Sequence, residues 1–88
     1  MNKYNYDALP VSLHGPMRRY LEDRIMPGGF LVAVLSNDLF DAITRADNVN
    51  REQLFMICRW IYNNAPDSSW GDRTKVDRWL KTHVMEEA

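Results

Sequence analysis

The chain has few residues whose types and spacing could support catalysis. Its single cysteine, Cys58, could act as a nucleophile with His14 or His83 as the base. However, Cys58 lies in the most apolar segment of the chain, where thiols are usually inert core residues. The cysteine and the histidines also lack the ligand spacing of a zinc site. We therefore predict a protein that is not an enzyme and that uses no metal or other cofactor.

The Pro27-Gly28-Gly29 turn is a stronger candidate for a binding site. It precedes an apolar helix that begins near Phe30, and such a turn presents free backbone N–H groups and the positive end of the helix dipole to an anion. Arg24 or Arg45 could add positive charge. The turn has no G-x-G-x-x-G pattern, no Walker lysine and no preceding strand. This favours a plain connector between two helices, with anion binding as the alternative.

Polar residues gather where the next helices are expected to meet. Within fourteen residues the chain places Asn37, Asp38, Arg45, Asp47 and Asn50. These residue types favour helix caps, and Asp41 with Arg45 has the i,i+4 spacing of an ion pair. We interpret the group as caps and one ion pair, with a small polar cleft as the alternative.

One tryptophan stands apart from the others. Trp60 and Trp79 fall at core positions of helical patterns, whereas Trp70 lies in the polar turn DSSWGD. An exposed tryptophan would indicate a contact surface for a partner. A tryptophan that closes over the end of a helical bundle is the interpretation we favour.

The last helix carries a set of basic side chains. Arg73, Lys75 and Arg78 could form a stripe that contacts phosphates of a nucleic acid. Acidic residues such as Asp77 accompany them, so a solvated outer face explains the same charges. The net charge of −1 argues against a general polyanion binder.

Helical periodicity predicts about five short helices and no strand. The first helix is expected to begin at Pro16, which suits the first helical position, and to end at Met26-Pro27. Its inward face is predicted to hold Met17, Tyr20, Leu21 and Ile25. Residues 1–13 are predicted to form an extended arm on the core.

The segment from Phe30 to Ala46 contains two apolar stripes separated by Ser36-Asn37-Asp38. The first stripe comprises Phe30, Leu31, Val34 and Leu35, and the second comprises Leu39, Ala42, Ile43 and Ala46. We predict two short helices that meet at a corner, with Asp38 as the cap of the second. A single bent helix is the alternative.

The segment Arg51 to Asn64 is apolar on nearly every side, which is typical of a central helix. Asn50 and Gln53 are predicted to cap it, and Ala65-Pro66 ends it. The last helix is expected to be capped by Asp72. Its predicted inward residues are Val76, Trp79, Leu80 and His83.

Length and composition predict a single domain over residues 1–88, with a helical core at 14–85. With 45% hydrophobic residues, the expected fold is an all-α, compact, irregular bundle. The single cysteine fits a reducing compartment, and no segment is predicted to act as a signal peptide. The longest apolar run, Phe30 to Leu35, is shorter than the about 18 residues of a membrane span. We therefore expect a cytoplasmic protein that does not contact membranes.

The stretch PGGFLVAVLSNDLFDAITRADNVN, followed by WIYNNAP, WG and WL, resembles an uncharacterised family of small proteins encoded by bacteriophages and prophages. The resemblance covers residues 16 to 83 and rests on a PG-x-FL, NDL, RAD-x-x-N, YN-x-x-P and WG pattern. The chain departs from it at Met26, Gly29, Ser69 and Asp72, where proline, serine, cysteine and serine are typical. It therefore lacks a second cysteine. The resemblance implies a phage-type accessory protein that acts inside a bacterial cell.

Three functions follow as hypotheses. The leading one is a non-enzymatic interaction protein that inhibits or redirects a host protein, for example in a defence pathway. The first alternative is an oligomeric sponge that binds an anionic nucleotide at Gly28 and Gly29. The second is nucleic-acid binding through the last helix.

Overall fold

Capping residues and prolines divide the chain into short helices. The computed structural model describes residues 4–82, and in this range there is no strand. The α-helices are α1 (Val11–Asp23), α2 (Gly29–Leu35), α3 (Leu39–Arg45), α4 (Asn48–Glu52), α5 (Leu54–Asn64) and α6 (Arg73–Lys81). Single turns of 3-10 helix lie at Tyr6–Ala8 and Asp67–Ser69. The predicted all-α bundle of about five helices is confirmed, with six α-helices among residues 4–82.

The corner between α2 and α3 is a true break. Asn37 adopts a left-handed conformation (φ 63°), and the Asp38 carboxylate accepts a hydrogen bond from the Asp41 backbone N–H at 3.2 Å. Such a cap stabilises a helix by about 1 kcal/mol. The prediction of two helices with Asp38 as a cap is confirmed, and the bent helix is wrong.

Aspartates also begin α4 and α6. Asp47 accepts from the Asn50 backbone N–H at 2.7 Å, and Asp72 accepts from the Lys75 backbone N–H at 2.8 Å. The predicted cap at Asp72 is confirmed. The predicted cap formed by Asn50 and Gln53 is wrong, because Asp47 satisfies the free N–H groups one turn earlier and Asn50 lies inside α4.

Residues 4–13 do not form the predicted extended arm. The 3-10 turn at Tyr6–Ala8 is followed by α1, which begins at Val11 rather than at Pro16. Burial explains the early start, because Leu13 joins the same buried face as Met17. The helix continues through Pro16 although this residue cannot donate a backbone hydrogen bond. The Tyr6 hydroxyl donates to Glu22 at 2.6 Å and fixes the turn against α1.

Helix α1 also ends earlier than predicted. Arg24 adopts a left-handed conformation (φ 61°) and terminates the helix after Asp23. Ile25 therefore lies outside the helix and is exposed, which contradicts its predicted inward position. The remaining predicted inward residues of this helix, Met17, Tyr20 and Leu21, are buried as expected.

The core lies between α1, α2, α5 and α6. Its fully buried side chains include Met17, Tyr20, Leu35, Ile57 and Val76. Both core tryptophans find partners for their N–H groups. Trp60 donates to the Asn5 carbonyl oxygen at 2.8 Å, and Trp79 donates to the Tyr20 carbonyl oxygen at 2.9 Å.

The inward face of α6 is largely as predicted. Val76 and Trp79 are buried and Leu80 is half-buried. His83 lies outside the described residues.

Two apolar faces that were predicted to be buried are open to solvent. Of the second predicted stripe only the alanines, Ala42 in α3 and Ala46 just after it, are buried, while Leu39 and Ile43 are exposed. Helix α5 begins at Leu54 and is not central, since Phe55 and Tyr62 are each 72% exposed. Within residues 4–82 no element covers these side chains.

Replacing Tyr20 by phenylalanine is expected to lower the free energy of unfolding by about 1–3 kcal/mol. The Tyr20 hydroxyl donates to the Ser69 carbonyl oxygen at 2.7 Å in the core, and its loss leaves that buried oxygen without this donor. Urea denaturation measures the effect. Tyr62→Phe is the matched control and should stay within about 0.5 kcal/mol of the wild type. Equal stabilities of the two variants would contradict the prediction.

Candidate functional site

Helix α5 is apolar on two sides, and only one of them is covered. The covered side faces the core and consists of Ile57, Trp60 and Ile61. The other side, here called the α5 outer face, consists of Phe55, Cys58, Arg59 and Tyr62. These positions have the spacing i, i+3, i+4, i+7 and form one continuous stripe along a helix. An uncovered stripe of this kind is a candidate contact surface.

The α5 outer face forms one wall of an open groove with a cavity of about 380 Å³. The groove is lined by Val34, Asn37, Phe55, Cys58, Arg59, Ile61, Tyr62 and Trp70. Val34 and Asn37 place the opposite wall on α2 and on the corner that follows it. The lining is mostly apolar, which is typical of sites that bind a partner by burial of apolar surface.

A smaller cavity of about 40 Å³ extends the groove towards α3. It shares Val34, Asn37 and Cys58 with the groove and adds Leu39 and Leu54. Further apolar side chains stand exposed on α3 and α4, including Phe40 at 80% and Val49 at 57%. Large exposed apolar surfaces on a small protein mark interaction sites.

The turn before α6 positions Trp70. The Gly71 N–H donates to the Leu35 carbonyl oxygen at 2.8 Å and ties the turn to the end of α2. Gly71 has φ 129°, a conformation that side chains disfavour. The Trp70 N–H points inwards and donates to the Ala65 carbonyl oxygen at 3.3 Å, while its ring lines the groove. Trp70 is half-buried and closes over the end of α5, in agreement with the favoured interpretation, and its role as a contact surface stays a prediction.

Arg59 brings a positive charge to the groove wall. Its guanidinium carbon lies 5.9 Å from the centroid of the Phe55 ring, within the range of a cation–π contact. Among residues 4–82, the ion pairs join Asp41 to Arg45 and Asp77 to Arg73, and neither involves Arg59. The groove therefore combines apolar walls with one cation that has no carboxylate partner in the described part of the chain.

The Arg24 side chain lies at the end of α6 and not at the Gly28-Gly29 turn, where anion binding would require it. Its guanidinium donates to the carbonyl oxygens of Trp79 and Thr82 at 3.3 and 3.0 Å, and its carbon lies 3.5 Å from the centroid of the Trp79 ring. Arg24 therefore satisfies free carbonyl groups at the end of α6.

The glycine turn has a clear structural role. Gly28 precedes α2 with φ 98° and ψ 164°, a conformation that is essentially restricted to glycine. Gly29 lies against Arg45, since a Cβ atom at residue 29 would be 2.6 Å from the Arg45 Nη1 atom. Phe30 packs half-buried against the core. The structure thus brings Arg45 to the turn but not Arg24.

The predicted polar cluster is divided among separate roles. Asp38 and Asp47 are helix caps, and Arg45 forms an exposed ion pair with Asp41 at 3.0 Å. Asn50 is buried, and its Oδ1 atom has no hydrogen-bond partner among residues 4–82. Only Asn37 lines the main groove. The structure does not bring these residues together into one cleft.

The basic residues of α6 do not form an uninterrupted stripe. Arg73 pairs with Asp77 at 3.1 Å, and Lys75 donates to the Asp67 carbonyl oxygen at 3.5 Å. Arg78 lines a shallow cleft together with Asp77. Acidic or carbonyl oxygens therefore accompany each of these cations.

The α5 outer face was missed by reasoning from the sequence. The apolar residues of this segment surround the helix, which by itself predicts a central position. A signal for an exposed second side is nevertheless present, because a chain of 88 residues offers few elements to cover two sides of one helix. Phe55 and Tyr62, seven residues apart on the second side, carry that signal.

Residues 4–82 hold no group of three or more His, Cys, Asp or Glu side chains arranged to bind a metal ion. Within the same range, no helix has both the length and the hydropathy needed to cross a membrane. Comparisons of the chain with protein-family models, with curated protein sequences and with solved structures find no match.

Alkylation of Cys58 provides a test of its position in the groove. The Cys58 side chain is exposed at the groove, which contradicts its predicted core position. The apolar wall nevertheless partly desolvates the thiol, disfavours the thiolate and raises the pKa of Cys58. We expect iodoacetamide to modify the native protein more slowly than the urea-unfolded chain near pH 8. We also expect the native rate to reach half of its maximum at a higher pH. Mass spectrometry measures both rates, and a native midpoint at or below the unfolded one would contradict the prediction.

Proposed function

We propose that this chain is a non-enzymatic protein-binding module that inhibits or redirects another protein through the groove beside α5. One observation carries the proposal: two aromatic side chains of the α5 outer face, Phe55 and Tyr62, are each 72% exposed beside an apolar cavity. Aromatic side chains at the centre of an apolar surface supply most of the binding free energy in many interfaces.

The chemistry around the groove supports binding rather than catalysis. Cys58 is the nucleophilic side chain of its lining, and its raised pKa opposes activation of the thiol. His14, the histidine within residues 4–82, bonds to the Leu9 carbonyl oxygen at 2.9 Å and does not line the groove.

The proposed setting is the interior of a bacterial cell, and the proposed partner is a host protein. The resemblance to small phage and prophage proteins is the basis for this part of the proposal. A compact chain that blocks a host factor by occupying one of its surfaces, for example in a defence pathway, matches such a setting.

The two alternative functions receive less support. Anion binding at Gly28 and Gly29 would rely on α2, which has seven residues, and Arg24 is engaged at the end of α6. Nucleic-acid binding through α6 would place Asp77 among the phosphates. Among residues 4–82, Arg59 is the one charged residue that lines the apolar groove, so the groove lacks the cluster of cations that a nucleotide or a phosphate backbone requires.

Crosslinking in bacterial cells tests the proposal. With the photoreactive residue p-benzoylphenylalanine in place of Phe55 or Tyr62, we expect an adduct of discrete mass with one other protein. The matched control replaces Val11, which is 82% exposed on α1 and does not line the groove. Adducts of equal yield at all three positions, or at none, would contradict a binding site at α5.

Once the partner is known, Trp70→Ala is expected to weaken the complex by at least about 30-fold, as truncation of a central aromatic residue typically does. Trp70→Phe retains an aromatic wall and should lose less. Calorimetry measures both affinities, and thermal melting confirms that the variants are folded. Unchanged affinity of folded Trp70→Ala would remove Trp70 from the interface.

A further inference from the structure

The shape of the groove limits what kind of chain segment can dock there. The α5 outer face runs from residue 55 to residue 62, which corresponds to about 10 Å along the helix axis. A partner helix of two turns presents side chains at i, i+3 or i+4, and i+7 over the same length. The cavity of about 380 Å³ in the groove has room for a large apolar side chain from such a helix.

Addition of a strand, another mode of peptide recognition, requires an unpaired sheet edge, and residues 4–82 contain no strand. A proline-rich segment docks on neighbouring aromatic rings, such as those of Tyr62 and Trp70. Phe55, however, lies about 10 Å from Tyr62 along the helix axis. A helix satisfies its own backbone groups, and its side chains at i and i+7 match the spacing from Phe55 to Tyr62.

The charge in the groove defines the partner further. Arg59 stands near the middle of the stripe and has no ion-pair partner among residues 4–82. A guanidinium group beside buried apolar side chains is stabilised by a carboxylate, which it can bind through two hydrogen bonds. A partner that buries Phe55 and Tyr62 also brings its own side chains close to Arg59.

The same charge argues against a second copy of this chain as the occupant. Two copies that pair α5 on α5 in parallel place Arg59 opposite Arg59. If the two α5 helices pair in antiparallel orientation, the two Arg59 guanidinium groups again lie close together, because Arg59 is near the middle of the α5 outer face. Like charges at an interface are repulsive and disfavour the complex.

We infer that the α5 groove binds an amphipathic helix of another protein, with apolar side chains against Phe55 and Tyr62 and an Asp or Glu side chain beside Arg59. This inference rests on the proposed function and specifies the partner. It is a helix-in-groove interaction in which the apolar stripe provides affinity and Arg59 selects an acidic partner.

Selection from a display library of helical peptides, with the intact chain as the target, tests the inference. The library randomises four positions, i, i+3, i+4 and i+7, on an otherwise alanine- and glutamine-rich helix. We expect enrichment of large apolar residues at three of these positions and of Asp or Glu at the fourth. Phe55→Ala and Tyr62→Ala should each weaken the best peptide by at least tenfold.

A charge exchange tests the role of Arg59. Arg59→Glu is expected to weaken the selected acidic peptide by at least tenfold and to strengthen the same peptide with Lys at the acidic position. Arg78→Glu is the matched control, because Arg78 is exposed on α6 and does not line the groove. It should leave both affinities unchanged. Fluorescence anisotropy measures the affinities, and circular dichroism shows that the variants retain their helices.

The outcomes separate this inference from the proposed function. Selected peptides without an acidic residue, or an affinity that Arg59→Glu does not change, would overturn it. Another outcome is that the library enriches no helix while the photoreactive residue at position 55 still crosslinks to a protein in cells. That result would overturn the helical partner, and the proposed function as a protein-binding module would stand. A dimer in sedimentation that Phe55→Asp dissociates would instead assign the groove to a second copy.

Discussion

Tyr20 is the contact on which the rest of the structure depends. Its hydroxyl donates to the Ser69 carbonyl oxygen, and its own carbonyl oxygen accepts the Trp79 N–H. Burial raises the pKa of Tyr20, so the hydroxyl remains a donor in the core. One residue of α1 thereby holds both the turn before α6 and α6 itself. This turn carries Trp70, and the hydrogen bond from Gly71 to Leu35 joins it to α2. The groove is therefore assembled by contacts made in the core.

The exposed face of α5 reflects how little of this helix enters the core. Among residues 4–82, the buried residues of α5 are Ile57, Trp60 and Ile61, and a small domain has a large surface relative to its volume. Helices α2 and α3 meet at a corner beside α5. A groove therefore remains between this corner and α5 instead of a filled interface. Exposed aromatic side chains in such a groove leave apolar surface in water, and a partner that covers this surface gains free energy from its burial. The exposed α5 outer face thus connects the fold with the proposed binding function.

The arginines show how one residue type serves different purposes in the same fold. Arg24 stacks on Trp79 and satisfies carbonyl groups at the end of α6, and Arg45 pairs with Asp41 beside Gly29. Arg59 contacts an aromatic ring and has no carboxylate partner among the described residues. The Asp41–Arg45 pair follows from its i,i+4 spacing, whereas the contacts of Arg24 with Trp79 and Thr82 are visible only in three dimensions.

The sequence by itself determined the features that depend on near neighbours. The caps at Asp38 and Asp72 act over three residues, and Pro66 blocks continuation of α5, so each could be predicted from local chemistry. Tertiary structure alone decided where α1 begins, where Arg24 points and which side of α5 is covered. These outcomes depend on contacts such as Trp60 with Asn5 and Tyr20 with Ser69, which join residues far apart in the chain. Periodicity shows that a helix has apolar faces, but only the packing of distant segments determines which of them is buried.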